Sequence, residues 1–156
     1  MTIKGNKIFF EFDPFELANV EAPKTNIREA KKKIADLVLT EVLDYVGGSR
    51  SPVSGEGWKK SLSADYKKLK SKISGNTTAN MELYGDMLDS LECVVNSAGM
   101  LELRIQGGEA AKADGHNNHS GESSLPQRRF IPDEGQTFKR DILEKIKTIA
   151  IDYSES

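Results

Sequence analysis

Apolar and polar residues alternate in three short stretches, and each alternation predicts a β-strand with one buried face. The stretches are residues 7–12, 91–96 and 101–106. The turn sequence Ser97-Ala98-Gly99 separates the last two, which are therefore expected to form a hairpin. Alternation of this kind is typical of an antiparallel sheet with one face in water.

Two longer segments carry apolar residues at helical spacing. The first is expected to begin at Asn26, because Glu29 three residues later resembles a capping box. Gly47-Gly48 is expected to end it, because glycine adopts the left-handed conformation at a helix C-terminus without strain. The second half of this helix has a broad apolar stripe, which predicts burial on more than one side, either in the core or against a neighbouring subunit. The residues assigned to that oligomer interface are Leu39, Val42, Leu43 and Val46.

The second helix is predicted at the C-terminal end, where Asp133 and Glu134 would favour its N-terminus through the helix dipole. Its apolar face is marked by Phe138, Ile142, Ile146, Ile149 and Tyr153. The elements together predict an α+β fold, in which a small antiparallel sheet packs against these two long helices. We predict one domain over residues 1–156, with a long polar loop at 107–124 that becomes ordered against a partner.

Four residues between the two helices are predicted to belong to the core. Trp58 and Tyr66 lie on a stripe at helical spacing, and Leu88 and Leu91 follow near a short helix or turn. The length of 156 residues is enough for one core of moderate size.

Composition narrows the function classes. The chain has 22 basic and 24 acidic residues, and this near balance argues against broad, non-specific binding of nucleic acid. A lysine-rich stretch at residues 59–72 leaves a local nucleic-acid-binding module open, although a solvated helix face explains the stretch more simply. One cysteine, Cys93, excludes an intramolecular disulfide. No stretch has the length and hydropathy of a membrane span or signal peptide, so we expect a soluble protein made in a cytoplasm.

Candidate chemistry is sparse. His116 and His119 are the only histidines, and a spacing of three would let both bind one metal if the backbone there is helical. Asp114 and Glu122 could add oxygen ligands, yet tetrahedral zinc sites usually have three or four recognisably spaced ligands. A metal-dependent nuclease or DNA-processing factor centred on the histidines is therefore the alternative hypothesis. We expect no cofactor and no enzymatic activity.

The segment from Leu125 to Pro132 is the most unusual stretch of the chain. Its two prolines exclude a helix and favour extended backbone at the residues before them. A stiff extended strip that presents Arg128 and Arg129 is typical of a docking element, in which the guanidinium groups bind carboxylates of a partner protein.

Three stretches in this order resemble the virion morphogenesis and tail-completion proteins of tailed bacteriophages. The first runs from Trp58 through Leu62-Ser63 to Tyr66, and the second is Leu83-Tyr84-Gly85-Asp86-Met87-Leu88-Asp89-Ser90-Leu91. The third combines Ala113, His116 and Asn117 with Leu125-Pro126, Arg128 and Phe130. The resemblance covers the chain from about Trp58 to its C-terminus.

The resemblance implies a structural protein of the virion at the head–tail junction: a neck, tail-completion or tail-terminator protein. It implies a homo-oligomeric ring, commonly a hexamer, around the DNA channel. The other partners would be phage connector or adaptor proteins and tail tube or terminator proteins, with DNA nearby and no membrane. The protein would be found in the virion, and in the host cytoplasm during assembly. His116, Asn117, Arg128, Arg129 and Phe130 are the expected partner contacts.

Overall fold

A computed structural model describes residues 2–48, 50–55, 88–110, 129–133 and 135–154. Their described strands form one antiparallel sheet in the order β1-β2-β4-β3. The strands are β1 (Thr2–Lys4), β2 (Lys7–Phe12), β3 (Glu92–Val95) and β4 (Leu101–Gln106). The helices are α1 (Pro14–Ala18), α2 (Ile27–Gly47) and α3 (Arg140–Ser154). This arrangement confirms the predicted α+β fold.

The three predicted strands are present, and the structure adds a fourth, β1, that the alternation did not reveal. Gly5 has a φ of +60° in the turn that joins β1 to β2, a conformation that glycine adopts without strain. In the register of the sheet, Ile8 lies opposite Ile3 on one side and Ile105 on the other. A strand of three residues is too short for periodicity to identify it.

The β3–β4 hairpin forms where it was predicted, and Asn96 organises its turn. The Oδ1 atom of Asn96 accepts hydrogen bonds from the backbone N–H groups of Ala98, at 3.0 Å, and Met100, at 3.1 Å. Gly99 follows with a φ of +80° and donates its N–H to the carbonyl of Asn96. A three-residue loop with a left-handed residue at its end is common in hairpins.

Helix α1 was not predicted, although Asp13-Pro14 contains its start signal. The Asp13 carboxylate accepts a hydrogen bond from the N–H of Phe15 at 3.0 Å, and Pro14 occupies the first helical turn. Both features are established helix-start signals. The helix ends at Asn19, which takes the left-handed conformation with a φ of +57°.

Helix α2 has the predicted bounds, but its ends are not formed in the predicted way. Asn26 is the residue before the first turn, yet it is left-handed, with a φ of +57°, and its side chain makes no capping hydrogen bond. At the other end Gly48 has a φ of −90°, outside the left-handed region. The prediction of a capping box at Asn26 and Glu29 was therefore wrong in mechanism and right in position.

Helix α3 begins later than the dipole argument suggested. Its first residue is Arg140, so Asp133 lies well before the first turn, where Asp141 is the acidic residue. The buried positions of the helix are Ile142, Ile146 and Ala150. Phe138, just before it, packs edge-on against the rings of Phe10 and Phe12.

The core lies between the sheet and the helices α2 and α3. Two polar contacts join the helices at the rim of this core: Tyr45 Oη donates to Asp141 at 2.7 Å, and Lys145 Nζ donates to Glu41 at 2.6 Å. Burial and the hydrogen bond to Asp141 raise the pKa of Tyr45. The described elements share one hydrophobic cluster. A single domain over the whole chain stays a prediction.

Candidate interaction site

The face of the sheet opposite α2 and α3, here called the outer face, carries a network of charged side chains. Glu102 in β4 accepts a hydrogen bond from Lys7 Nζ at 2.9 Å and one from Arg104 Nη1 at 3.2 Å. Arg104 Nε also donates to Glu92 at 2.7 Å. The register explains these contacts, because it places Glu92 directly opposite Arg104 in neighbouring strands.

Asn96 connects this network to the hairpin turn. Its Nδ2 amide donates to Glu102 at 3.2 Å and also to Glu11 in β2. One asparagine therefore shapes the turn through its carbonyl oxygen and ties two strands together through its amide nitrogen. Lys7 adds a contact of its own, since its ammonium lies 4.2 Å from the centre of the Phe9 ring.

Glu102 is the centre of the network and is only 3% exposed. Burial by itself would raise its pKa, but hydrogen bonds from Lys7, Asn96 and Arg104 outweigh burial and lower the pKa below its ordinary value. Burial would lower the pKa of Arg104, because it disfavours the charged form of a cation. Hydrogen bonds to Glu92 and Glu102 outweigh burial and raise that pKa. The Glu102 carboxylate and the Arg104 guanidinium therefore each favour the charged form of the other.

The arrangement fixes these polar side chains relative to one another on one face of the sheet, which suits contact with another macromolecule. In the described part of the chain, no group of three or more histidine, cysteine or acidic side chains is placed to hold a metal ion. Among the described helices, none is long and apolar enough to cross a membrane. The carboxylates of Glu92 and Glu102 are instead bound to cationic side chains of the same protein.

The broad apolar stripe of α2 is divided by the structure. Val42 and Val46 are 0% exposed within the protomer's own core, which corrects their assignment to an oligomer interface. Leu43 is 36% exposed, and Leu39 is half-buried at the rim of the core. The predicted interface is therefore reduced to Leu39 and Leu43, because α3 and the sheet already cover the other side of the helix.

Phe130 was expected to contact a partner, and the structure places it in the core instead. It is among the largest fully buried side chains, at 0% exposure, and Ile131 beside it is equally buried. Ser51 fixes this segment by donating a hydrogen bond from Oγ to the carbonyl of Arg129 at 2.7 Å. Residues 129–133 contain no helix, as their sequence predicted.

Arg129 contacts its own chain. Its Nη1 donates to the carbonyl of Ile131 at 3.0 Å, and its Nη2 lies 3.7 Å from a carboxylate oxygen of Asp133. Its side chain is only 11% exposed, and burial lowers its pKa despite the nearby carboxylate. These contacts correct its assignment to a partner surface: Arg129 shapes the strip from within.

The remaining predicted site residues are divided between the core and segments outside the described residues. Leu91 is 5% exposed, and Leu88 is partly buried against the core, which agrees with their predicted roles. Residues outside the described ranges are Trp58, Tyr66, His116, Asn117, His119 and Arg128. The predicted loop at 107–124 begins with a short 3-10 turn over Gly107–Glu109, and Ala110 is buried.

The alternation in residues 91–96 and 101–106 predicted polar positions but did not predict the network of Glu92, Glu102 and Arg104. Opposite charges at alternating positions of two adjacent strands were the available signal, since such residues meet across the ladder. The contribution of Lys7 depends on β2 lying beside β4, which the order of strands along the chain does not reveal.

Comparison of the chain with protein-family models, curated proteins and solved structures finds no match. The resemblance to phage neck proteins therefore stays a prediction from its motifs.

Proposed function

We propose that this chain is a non-catalytic structural subunit of a tailed-bacteriophage head–tail junction, which assembles as a ring around the DNA channel. The observation that carries the proposal is the order of three motifs, beginning at Trp58, Leu83 and Ala113, along a chain of α+β fold. The alternative is a metal-dependent nuclease at His116 and His119, and it is supported only by the spacing of these two histidines.

The use of charge in the described residues supports a scaffold role. Glu102 and Arg104 cross-link neighbouring strands, and Glu41 and Asp141 join the two long helices. These contacts hold the relative positions of elements within one protomer. A subunit that must present fixed surfaces to several neighbours benefits from such rigidity, because less conformational freedom is lost on binding.

A ring subunit needs two different surfaces for its neighbours in the ring, since every contact is heterologous. Connector or adaptor proteins on the head side and tail tube or terminator proteins on the tail side would be further partners. The exposed part of α2 at Leu39 and Leu43 is one candidate surface. The second candidate surface consists of Arg128, in the segment from Leu125 to Pro132, together with His116 and Asn117 from the loop before it.

Assembly is tested on the purified protein and on virus particles. Native mass spectrometry should show one closed oligomer, and particles made by the host that carries the gene should contain the chain in the copy number of that oligomer. Deleting the gene should leave heads and tails unjoined. A strictly monomeric protein that is absent from purified particles would contradict the proposal.

The two adjacent arginines form a matched pair of variants. Arg129→Ala should lower the melting temperature, because it removes contacts to Ile131 and Asp133 within the protomer. Arg128→Ala should weaken assembly while leaving the melting temperature nearly unchanged. Size-exclusion chromatography and thermal denaturation of both variants separate the two effects. Equal loss of both properties in Arg128→Ala would make that residue part of the fold as well.

The nuclease alternative is tested by incubating the protein with plasmid DNA in Mg²⁺, Mn²⁺ or Zn²⁺. We expect no nicking by the wild-type protein. Nicking that His119→Ala abolishes would replace the structural proposal with the enzymatic one.

A further inference from the structure

The sheet of the described residues ends in β1 on one side and β3 on the other. Every neighbouring pair of strands is antiparallel, so the four strands alternate in direction and the two edge strands run opposite ways. A second copy in the same orientation can therefore add its β1 beside β3 as one more antiparallel pair.

The backbone groups that β3 offers to such a strand follow from its hairpin. The N–H of Asn96 donates to the carbonyl of Met100 at 2.9 Å, which marks this pair as hydrogen-bonded. Hydrogen-bonded and non-hydrogen-bonded pairs alternate along an antiparallel ladder. Val94 is therefore hydrogen-bonded to β4, whereas the N–H and C=O groups of Cys93 and Val95 point away from β4 towards the open edge.

The same alternation gives the outward groups of β1. The N–H of Gly107 donates to the carbonyl of Asn6 at 2.8 Å, which makes the position of Ile8, two residues on, hydrogen-bonded to β4. Ile8 therefore cannot bond to β1. Ile3, which lies opposite Ile8, directs its own N–H and C=O groups away from β2.

One register between copies satisfies the backbone groups of both edges. With Cys93 opposite Ile3 of the next copy, both residues direct backbone groups at each other. The same register places the acidic residue Glu92 opposite the basic residue Lys4 of the next copy, a pairing of residue types that favours strand association.

The edge at β3 lacks two of the features that usually prevent strand pairing. Its sequence, Glu-Cys-Val-Val, contains no lysine and no proline. Val95, at the end of the strand, is 40% exposed, and it is one of three exposed large apolar residues in the described part of the chain. An apolar, extended edge of this kind favours the addition of a strand from another chain.

We propose that copies of this chain associate edge to edge, with β3 of one copy paired antiparallel with β1 of the next and Cys93 opposite Ile3. Such a contact is heterologous, so repeated contacts close into a ring if the rotation between copies permits. The inference rests on the self-association in the proposed function, but it does not depend on the viral role.

Engineered disulfides test the register. The pairing places Val94 opposite Thr2 of the next copy at a non-hydrogen-bonded position, where Cα atoms are about 4.5 Å apart and a disulfide fits. The variant with both Val94→Cys and Thr2→Cys should form a ladder of covalent oligomers after mild oxidation. An equimolar mixture of the two single variants should form covalent dimers only. Cys93 does not compete, since it is 8% exposed and burial raises its pKa to about 12.

A matched control combines Thr2→Cys with Val95→Cys, which the register does not place opposite each other and which should therefore not link. Self-dimers of Val94→Cys that form as readily as mixed dimers would overturn the inference in favour of a symmetric β3–β3 contact. An oligomer in native mass spectrometry without any cross-link would also overturn it, while the proposed self-association would survive. A strict monomer would defeat both.

A second variant avoids cysteine chemistry. Cys93→Pro removes the outward N–H that this register pairs with the carbonyl of Ile3 of the next copy, so self-association should weaken by about tenfold or more while circular dichroism shows an intact fold. Unchanged self-association in a folded Cys93→Pro protein would contradict pairing at this edge.

Discussion

The two faces of β4 exclude water by opposite means. Leu101, Leu103 and Ile105 point towards the helices, and each is 0% exposed. Glu102, between them in sequence, points to the outer face and is still only 3% exposed. The residues on the helix side are buried by apolar neighbours. Glu102 is buried by the side chains that bind its charge, among them Lys7, Asn96 and Arg104.

This difference shows that equal burial does not mean equal physical origin. Apolar burial depends on surface removed from water and on close packing, neither of which changes with protonation. Burial of a carboxylate is tolerated only while hydrogen bonds and opposite charges compensate its lost hydration. The helix side should therefore respond to changes of volume, and the outer face to changes of charge.

Removal of volume on the helix side should have the largest effect. Leu103→Ala is expected to lower the free energy of unfolding by about 3 kcal/mol, because it removes buried methyl groups and leaves a cavity. Urea denaturation at pH 7 measures the loss. Ile27→Ala, at a position that is 38% exposed, is the control and should cost about 0.5 kcal/mol. Similar losses for both variants would contradict the assigned core.

Removal of charge on the outer face should have the next largest effect. Glu102→Gln keeps the shape of the side chain but leaves Lys7 and Arg104 without their shared anion, at a cost of about 2 kcal/mol. Denaturation in urea again gives the value. An unchanged free energy of unfolding in Glu102→Gln would show that the network contributes little to the stability of the fold.

The pH dependence should separate the two faces. The folded protein lowers the pKa of Glu102 below its ordinary 4.5, so this group stabilises the fold above that pH. The contribution is lost as the pH falls through the lowered pKa. The difference in stability between wild type and Glu102→Gln should therefore shrink as the pH falls from 7 through this lowered pKa, whereas the difference for Leu103→Ala should stay constant. A constant difference for both would reject the lowered pKa.

The smallest effect is expected for an ion pair in water. Arg140 and Glu144 are 3.7 Å apart on α3, with side chains 91% and 62% exposed. Glu144→Gln should change the free energy of unfolding by less than about 0.5 kcal/mol, because solvent and salt screen the pair. A loss as large as that of Glu102→Gln would mean that burial does not decide the strength of these contacts.

The elements of this fold could largely be predicted from local sequence. The alternation in residues 7–12 and 101–106, the turn at Ser97-Ala98-Gly99 and the bounds of α2 are all confirmed. Helix α1 was missed although Asp13-Pro14 contained its start signal. These features depend on neighbours within a few residues, so the chain itself specifies them.

The candidate site could be predicted only in part, because its contacts join residues far apart in the chain. Lys7 meets Glu102 across 95 positions, and Ser51 binds the carbonyl of Arg129 across 78. Phe130 was assigned to a partner surface because it belongs to the third motif of the resemblance, whereas packing places it inside. No local pattern distinguishes an apolar residue that meets its own core from one that meets another chain.

The sequence by itself determined the α+β class, most of the strands, and the helix at residues 27–47. The tertiary structure alone decided that Val42, Val46 and Phe130 belong to the core, and that Glu102 is buried by its own partners. The physical reason is the range of the interactions. Periodicity and turn chemistry act over a few residues, whereas burial depends on which surfaces of distant segments meet when the chain closes.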